Sequence, residues 1–556
     1  MKKKMLPAFV CLLIANLVYA QGGRTDSAFG LNGYTSIDPL LGGPGDQASL
    51  HGMIITKAGK LLMYGYSSAP GTSYEAMVQL KNTGFADSKF GVNGTVNYFT
   101  ALNVPNYGVQ ALAQQPDGKI ITVSNLTFPD QNGFPAHDEA WMARYNVNGQ
   151  HDLSFGGQGF SGDIYFFDDT HKRFFIQSTA IQADGKILLA GYTLDNSYYP
   201  AIIVKRYNAD GSPDANFGTT GTFGEQTGAI DFRTVYPGWW NYAAKILVQK
   251  NGKILVCGNG APIGGSQSGF IVARIDSTGL YLDNTFGTNG LAYKTFNSFD
   301  GAACNSMAIQ KNGKIIAFGV NYDSNVGAVY GMMNFNTNGK LYTGFNSTGM
   351  LVMNNIAGNA QSVVLQKDGK IVGAGDRYND QFEELATLVR VNTNGIIDNS
   401  FGTNGIVTGD AGKVSIFKDV AVNSLGNIVA AGDGYSPNGT VFVACRFLSS
   451  LSLNMAEAND ISNVETKPGP IAAAFIYPNP VKSNAVLTYT IDRDEIVSIL
   501  LYDMSGHLVQ TVLTNATRSG GTNKQQFNIQ NSLPAGNYLL TITTKTKQAG
   551  IKILKQ

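Results

Sequence analysis

Charge is scarce in this sequence. Asp, Glu, Lys and Arg make up 14% of its 556 residues, where an ordinary soluble protein carries about 25%. The 40 basic and 39 acidic residues leave a formal net charge of +1, which excludes the basic stripe of a nucleic-acid binder and an acidic tail. Cysteine is rarer still, at four residues, with no C-x-x-C pair, and the five histidines are scattered. Neither a zinc site nor any other metal is expected from such a set. No G-x-S-x-G, H-E-x-x-H or phosphate-binding glycine loop occurs, so no cofactor is expected. After the N-terminus no stretch approaches the apolar length of a transmembrane helix, about 18 residues.

What the chain does have is glycine, 66 residues without a G-X-Y period, and a 43% hydrophobic content. That combination points to a folded all-β protein rather than collagen or a disordered chain. Residues 1–20 read as a signal peptide. Lys2, Lys3 and Lys4 precede an apolar run from Leu6 to Val18, and Val18-Tyr19-Ala20 offers small residues for cleavage after Ala20. A lipid anchor on Cys11 is rejected because that residue sits in the middle of the apolar run. Of the remaining cysteines, Cys257 and Cys445 lie in apolar runs and Cys304 pairs with neither by spacing. The first two read as small hydrophobes.

A hairpin signature recurs seven times: QPDGKII, QADGKIL, QKNGKIL, QKNGKII and QKDGKIV, with weaker copies TKAGKLL and NSLGNIV. Its glycines are Gly59, Gly118, Gly185, Gly252, Gly313, Gly369 and Gly426. Asp-Gly and Asn-Gly at the turn predict a two-residue type I′ hairpin. A second signature, of the form DNTFGTNG, alternates with it and carries Phe29, Phe90, Phe155, Phe217, Phe286, Phe345 and Phe401. Its Asp is expected to cap a local turn, its Gly to take positive φ, and its Phe to plug a core. A third apolar run precedes each of these turns, giving four short strands per unit. Seven such units predict an all-β, seven-bladed β-propeller over residues 21–450; a β-solenoid has shorter repeats. The chain opens at an FG turn that its last unit lacks, so the strand after Phe29 is expected to complete the seventh blade.

These landmarks resemble the delta-60 repeat family, whose units follow the pattern YN-x-DG-x-D-x-SFG-x-x-G and then Q-x-DGKI. The resemblance covers most of residues 24–448 and implies a propeller; it brings no catalytic residues. On such a scaffold the copies differ in the loops opposite the DGK and FG turns, and variable loops on a rigid frame are where function tends to sit. One of them, Asp231 to Tyr242, gathers Tyr236, Trp239, Trp240 and Tyr242. These four aromatics are the candidate ligand-binding residues, suited to stacking on a glycan or packing on a protein partner. Folding back as a cap over their own blade is the plain alternative. The competing function is a polysaccharide-active enzyme, hydrolase or lyase, using loop carboxylates among Asp168, Asp169, Glu225, Asp231, Glu383 and Glu384, with His171 nearby. None of these sits at a motif spacing.

After Ser450 the repeat ends. Residues 451–474 read as a polar linker, and residues 475–556 alternate with period two between Asn, Gly and Pro turns, as in a small antiparallel β-sandwich. Their motif order, Tyr477-Pro478-Asn479-Pro480, then YDMSGHLV with Asp503 and Gly506, then LPAGNYLL with Gly536 and Tyr538, closely resembles the type A sorting domain of type IX secretion. The resemblance implies a Gram-negative host, passage through the general secretion machinery and the type IX outer-membrane machinery, and attachment to surface lipopolysaccharide or release. The place of the mature chain is then outside the cell or on its surface. A carbohydrate-binding accessory sandwich is the alternative.

Overall fold

The computed structural model describes residues 22–449 and 469–556, except segments 41–45, 70–71, 99–105, 129–136, 158–159, 162–172, 195–196, 219–228, 297–300, 324–326, 410–413, 437–438, 471–473, 504–507 and 545–546, and residues 266, 380, 382 and 531. The expected signal peptide and its Ala20 junction, most of the expected linker, Asp168, Asp169, His171, Glu225 and Gly506 lie outside the described residues.

The protein is all-β, and its chain divides into two compact units after Leu451. In the first unit each repeat folds into one four-stranded antiparallel sheet with strands in chain order. Seven such sheets occur among the described residues, with first strands Gln47–Ile55, Asn106–Gln114, Arg173–Ile181, Trp239–Val248, Gly301–Ile309, Ala360–Leu365 and Ile416–Val422. They are called sheets 1 to 7 in that order. The outer strand of sheet 7 is Tyr34–Ile37, paired antiparallel to Gly439–Phe447 with Tyr34 opposite Cys445. The N-terminal segment thus completes the last sheet, as the repeat order predicts. Each first strand touches those of the sheets before and after it, and that of sheet 7 touches that of sheet 1.

The low charge follows from this arrangement. Seven hydrophobic cores lie between consecutive sheets, each built from two of them; one joins Leu188 and Val204 of sheet 3 to Ile246 and Val256 of sheet 4. Strands buried on both faces cannot alternate with polar residues, and Pro200–Tyr207 is buried at every position. All seven plug phenylalanines are buried. The cysteines Cys257, Cys304 and Cys445 are buried in these cores, and burial pushes the Cys304 thiol up.

The DGK hairpins depart from the expected type I′ form. Gly118 N–H donates to the Gln115 carbonyl and Gln115 N–H to the Lys119 carbonyl, closing a three-residue loop in which only Gly118 takes positive φ (92°). Asp117 stays right-handed, and its Oδ1 accepts the Lys119 N–H at 3.0 Å. This is a type I turn followed by a left-handed glycine; the carboxylate-to-backbone bond accompanies the right-handed aspartate.

The FG turns follow expectation, and their left-handed residue has a reason. At positions 30, 91, 156, 218, 287, 346 and 402 φ lies between 46° and 75°, with Asn346 standing where the others have Gly. That conformation turns the N–H toward the next sheet. Gly30 donates to Thr83, Gly91 to Asn148, Gly156 to Asp210, Gly218 to Gly279, Gly287 to Asn338, Asn346 to Asn394 and Gly402 to Gly22, a circuit that returns to its start.

A polar rivet runs beside this circuit. The FG-turn Asp spends one oxygen on its own turn, as Asp283 Oδ1 accepting Thr285 N–H at 3.0 Å. Its other oxygen receives the DGK lysine and an arginine from the third strand: Lys253 at 2.5 Å and Arg274 Nε at 2.7 Å. The guanidinium stacks 4.5 Å over Phe286 and reaches the Thr337 carbonyl of the next sheet at 2.5 Å. The same set recurs around Asp152, Asp214 and Asp398. Arg446 performs it for Asp26, bonding Asn82 of sheet 1.

The second unit has a three-stranded sheet (Ala474–Tyr477, Asn484–Ile491, Gly521–Asn528) and a five-stranded sheet whose longer members are Glu495–Asp503, Leu508–Arg518, Gly536–Thr544 and Lys547–Lys555. Both contribute to one core that includes Leu487, Tyr489, Ile499 and Leu540. The motif residues tie its ends together. Asn479 Oδ1 accepts Leu554 N–H at 2.9 Å, and Val481 N–H donates to the Leu554 carbonyl at 2.7 Å. Tyr538 OH donates to the Pro534 carbonyl at 2.7 Å, while Asp503 pairs with Tyr538 across the sheet. Tyr477 is exposed, and the Tyr477–Pro478 and Asn479–Pro480 bonds are cis. Gly536 opens the strand that pairs with Lys555.

Candidate functional site

All seven first strands carry a β-bulge at the same point. The register skips one residue in each: His51, Gln110, Gln177, Ala244, Asn305, Gln361 and Lys418. A bulge leaves its residue out of the ladder and re-aims the side chain. Here all seven line a single cavity of about 530 Å³ bounded by the first strands of all seven sheets. The sequence signal was available: each bulged residue stands eight positions before its turn glycine, as His51 before Gly59 and Lys418 before Gly426.

The bulge side chains link neighbouring sheets. His51 Nδ1 lies 3.0 Å from the Val109 carbonyl, and Asn305 Nδ2 donates to the Ala360 carbonyl at 2.7 Å. After three of the bulges the next residue works the same way. Asp419 Oδ2 accepts Met53 N–H at 3.0 Å, Ser306 Oγ accepts Val363 N–H at 3.3 Å, and Ser178 Oγ accepts Ile246 N–H at 3.2 Å. Burial, and then the Lys418 ammonium, hold the His51 imidazole below its ordinary pKa despite the Val109 carbonyl, so it is neutral at pH 7. Burial likewise raises Asp433, whose oxygens accept Leu50 N–H at 2.6 Å and Ser49 Oγ–H at 3.1 Å. The lining is therefore rich in amides and hydroxyls, with Lys245, Lys418 and Asp419 as its charged members.

Tyr64 of sheet 1 lines the cavity, and two further tyrosine rings reach it from sheets 3 and 4. Tyr192 and Tyr242 line it and pack edge to face at 4.7 Å. Trp240, two residues along the same strand and hence on the same face, packs on Tyr242 at 6.0 Å. The other two candidates turn elsewhere. Tyr236 OH donates to the Asn289 carbonyl at 2.7 Å, and Trp239 packs edge-on against Tyr293 at 4.9 Å. Of the four aromatics, then, Tyr242 lines the cavity, Trp240 packs on it from behind the lining, and Tyr236 and Trp239 lie on the flank of sheet 4. Between them and sheet 3 lies a one-turn helix, Phe232–Val235, capped by Asp231 through Arg233 N–H at 2.7 Å. Of the other loop carboxylates, Glu383 accepts from Asn379 Nδ2 at 2.8 Å and Glu384 lies 3.5 Å from Tyr378 OH. No cluster of three or more metal-ligating side chains occurs among the described residues, and none of their helices is long and apolar enough to cross a membrane.

Residues 475–556 match the family described as secretion system C-terminal sorting domain. Residues 182–217, 249–286 and 366–401 match a domain of unknown function (DUF5122) beta-propeller, each match running from the Gln of a DGK hairpin to a plug phenylalanine. No curated protein matches the chain. Among solved structures, a protein of unknown function from Dyadobacter fermentans DSM 18053 is similar at 10% identity over 78% of this chain and 98% of its own, with a TM-score of 0.37. A Trypanosoma rangeli sialidase aligns at 9% identity over 94% of this chain and 89% of its own (TM-score 0.36). A polysaccharide lyase, PL25 ulvan lyase, aligns at 13% identity over 80% and 90% (TM-score 0.34). Likenesses this faint assign neither fold nor activity. The two family matches do speak to this chain: it is a β-propeller protein with a type IX secretion sorting domain at its C-terminus, exported to be secreted or held at the cell surface.

Proposed function

We propose that residues 21–450 form a seven-bladed propeller of delta-60-like repeats that binds a glycan in its central cavity at the surface of a Gram-negative cell. In this reading the signal peptide is cut after Ala20, residues 451–474 are a linker, and residues 475–556 are a β-sandwich that leads the chain through the outer membrane to lipopolysaccharide attachment or release. The observation that carries the reading is the ring of bulged side chains around a cavity of about 530 Å³, a size that suits a small ligand. Amides and hydroxyls beside Tyr192, Tyr242 and Trp240 offer hydrogen bonds to sugar hydroxyls and ring faces for stacking.

A glycoside hydrolase canonically uses two carboxylates flanking the bond it breaks. Asp419 is the one carboxylate lining the cavity among the described residues, which favours binding over hydrolysis. The test is a glycan panel run on the mature protein. Binding without product, abolished by Trp240→Ala with Tyr242→Ala while the melting temperature holds, supports the reading. Released oligosaccharide replaces it with the enzyme, and no binding across the panel removes it.

A further inference from the structure

Sheet 5 breaks the rivet pattern. Where sheet 4 has Arg274 and Asp283, the same register positions of sheet 5 hold Asn334 and Tyr342. Lys314, the counterpart of Lys253, meets an aromatic ring instead of a carboxylate, its ammonium 3.1 Å from the centre of Tyr342. An asparagine is too short to reach Thr393, the counterpart of the Thr337 carbonyl that Arg274 bonds. At this place a cavity of about 620 Å³ opens along sheets 5 and 6 and reaches Val422 of sheet 7; Asn334, Lys314 and Thr393 are among its lining residues.

Two features give the cavity a chemical preference. Asn334 is fully buried on its wall, donates through Nδ2 to Gln310 Oε1 at 3.2 Å, and leaves Oδ1 without a partner. Buried amide oxygens are normally satisfied, so this one fits a ligand hydroxyl. The charged lining comprises Lys311, Lys314 and Lys367 against Asp368 alone, a field that favours an anion.

We propose that this cavity binds a carboxylated sugar, its carboxylate on Lys314 and a hydroxyl donating to Asn334. The site lies among the DGK and FG turns and is independent of the central cavity. Calorimetric titration of the mature protein with glucuronate and with glucose tests it. Two variants accompany the wild type: Lys314→Met, and the double change Asn334→Arg with Tyr342→Asp, which rebuilds the rivet in the empty space. Glucuronate should bind, more weakly as salt rises, and both variants should lose more than about tenfold in affinity. The rebuilt variant should melt no lower than wild type, which separates a filled site from a damaged fold. Glucuronate affinity unchanged in both variants, glucose binding as tightly, or no glucuronate binding at all would each overturn the proposal.

Discussion

Replacing Arg390 by Met tests whether the rivets hold the ring together. The Arg390 side chain is 1% exposed and that of Asp398 is 7%. The substitution keeps most of the apolar stem but removes the 2.8 Å bond to Asp398, the 4.5 Å stack on Phe401 and the bond to the Ser449 carbonyl of sheet 7. Removing one partner of a buried ion pair costs about 3–5 kcal/mol, because the other charge stays buried. Lys370 still reaches Asp398 at 2.8 Å, which places the cost at the low end of that range. With an unfolding entropy of about 2.1 cal/mol/K per residue, a cooperative ring of roughly 430 residues loses about 1 °C per kcal/mol, so melting should fall by about 3–4 °C. Lys370→Met is the control. That side chain is 28% exposed, and a pair so open to water is worth about 0.2–1 kcal/mol, under about 1 °C. Scanning calorimetry on the two variants decides the matter. Equal shifts would show that burial of the guanidinium and its reach into the next sheet contribute nothing, and the rivet argument fails.

Deleting residues 22–37 should lower the melting temperature and promote aggregation, because it bares the edge of strand Gly439–Phe447 and removes Asp26 from Arg446; an unchanged melting curve counts against closure by the N-terminal strand. Acid should destabilise the ring in a defined direction. Burial opposes the charged forms of Asp87, Asp152, Asp214, Asp283 and Asp398, but bonds from lysines, local N–H groups and the arginine or glutamine beside each outweigh it and hold all five below the usual carboxylate range. Their stabilisation is complete above the unfolded value near pH 4 and drains away as pH falls through the folded values. Urea midpoints that stay level from about pH 5 to about pH 2 would refute it. Deleting residues 475–556 should leave the ring in the periplasm, read by fractionation and surface proteolysis; normal surface display of the truncated chain would show that the tail is dispensable for export.

The fold was legible because its punctuation is local. A glycine that must be left-handed and an aspartate that caps its own turn leave marks within a few residues, and seven repetitions made them unmistakable. The turn type was misread because Asp-Gly suits two hairpin forms, and the Lys119 N–H bond that accompanies the right-handed aspartate is a backbone detail. The other oxygen of each FG-turn aspartate was invisible for a different reason. Its lysine stands about thirty residues upstream, as Lys253 does from Asp283, and only the sheet brings them together. The cavity was missed entirely. A bulge is a property of the pairing between two strands, so the constant eight-residue offset from His51 to Gly59 or from Gln361 to Gly369 says nothing until that pairing is known. The one-turn helix Phe232–Val235 is too short to carry a helical period, and Tyr236 stands at its C-cap rather than on the strand that carries Trp240.

The pairing of Tyr34 with Cys445 has a consequence for the order of events as the chain is made and exported. These two residues are separated by nearly the whole ring, so the contact between them is the most expensive in loop entropy and forms late. Within the ring, the segment made first is therefore the last to find its place. Until the final repeat arrives, the early sheets can stack but cannot close, and the chain stays open at one seam.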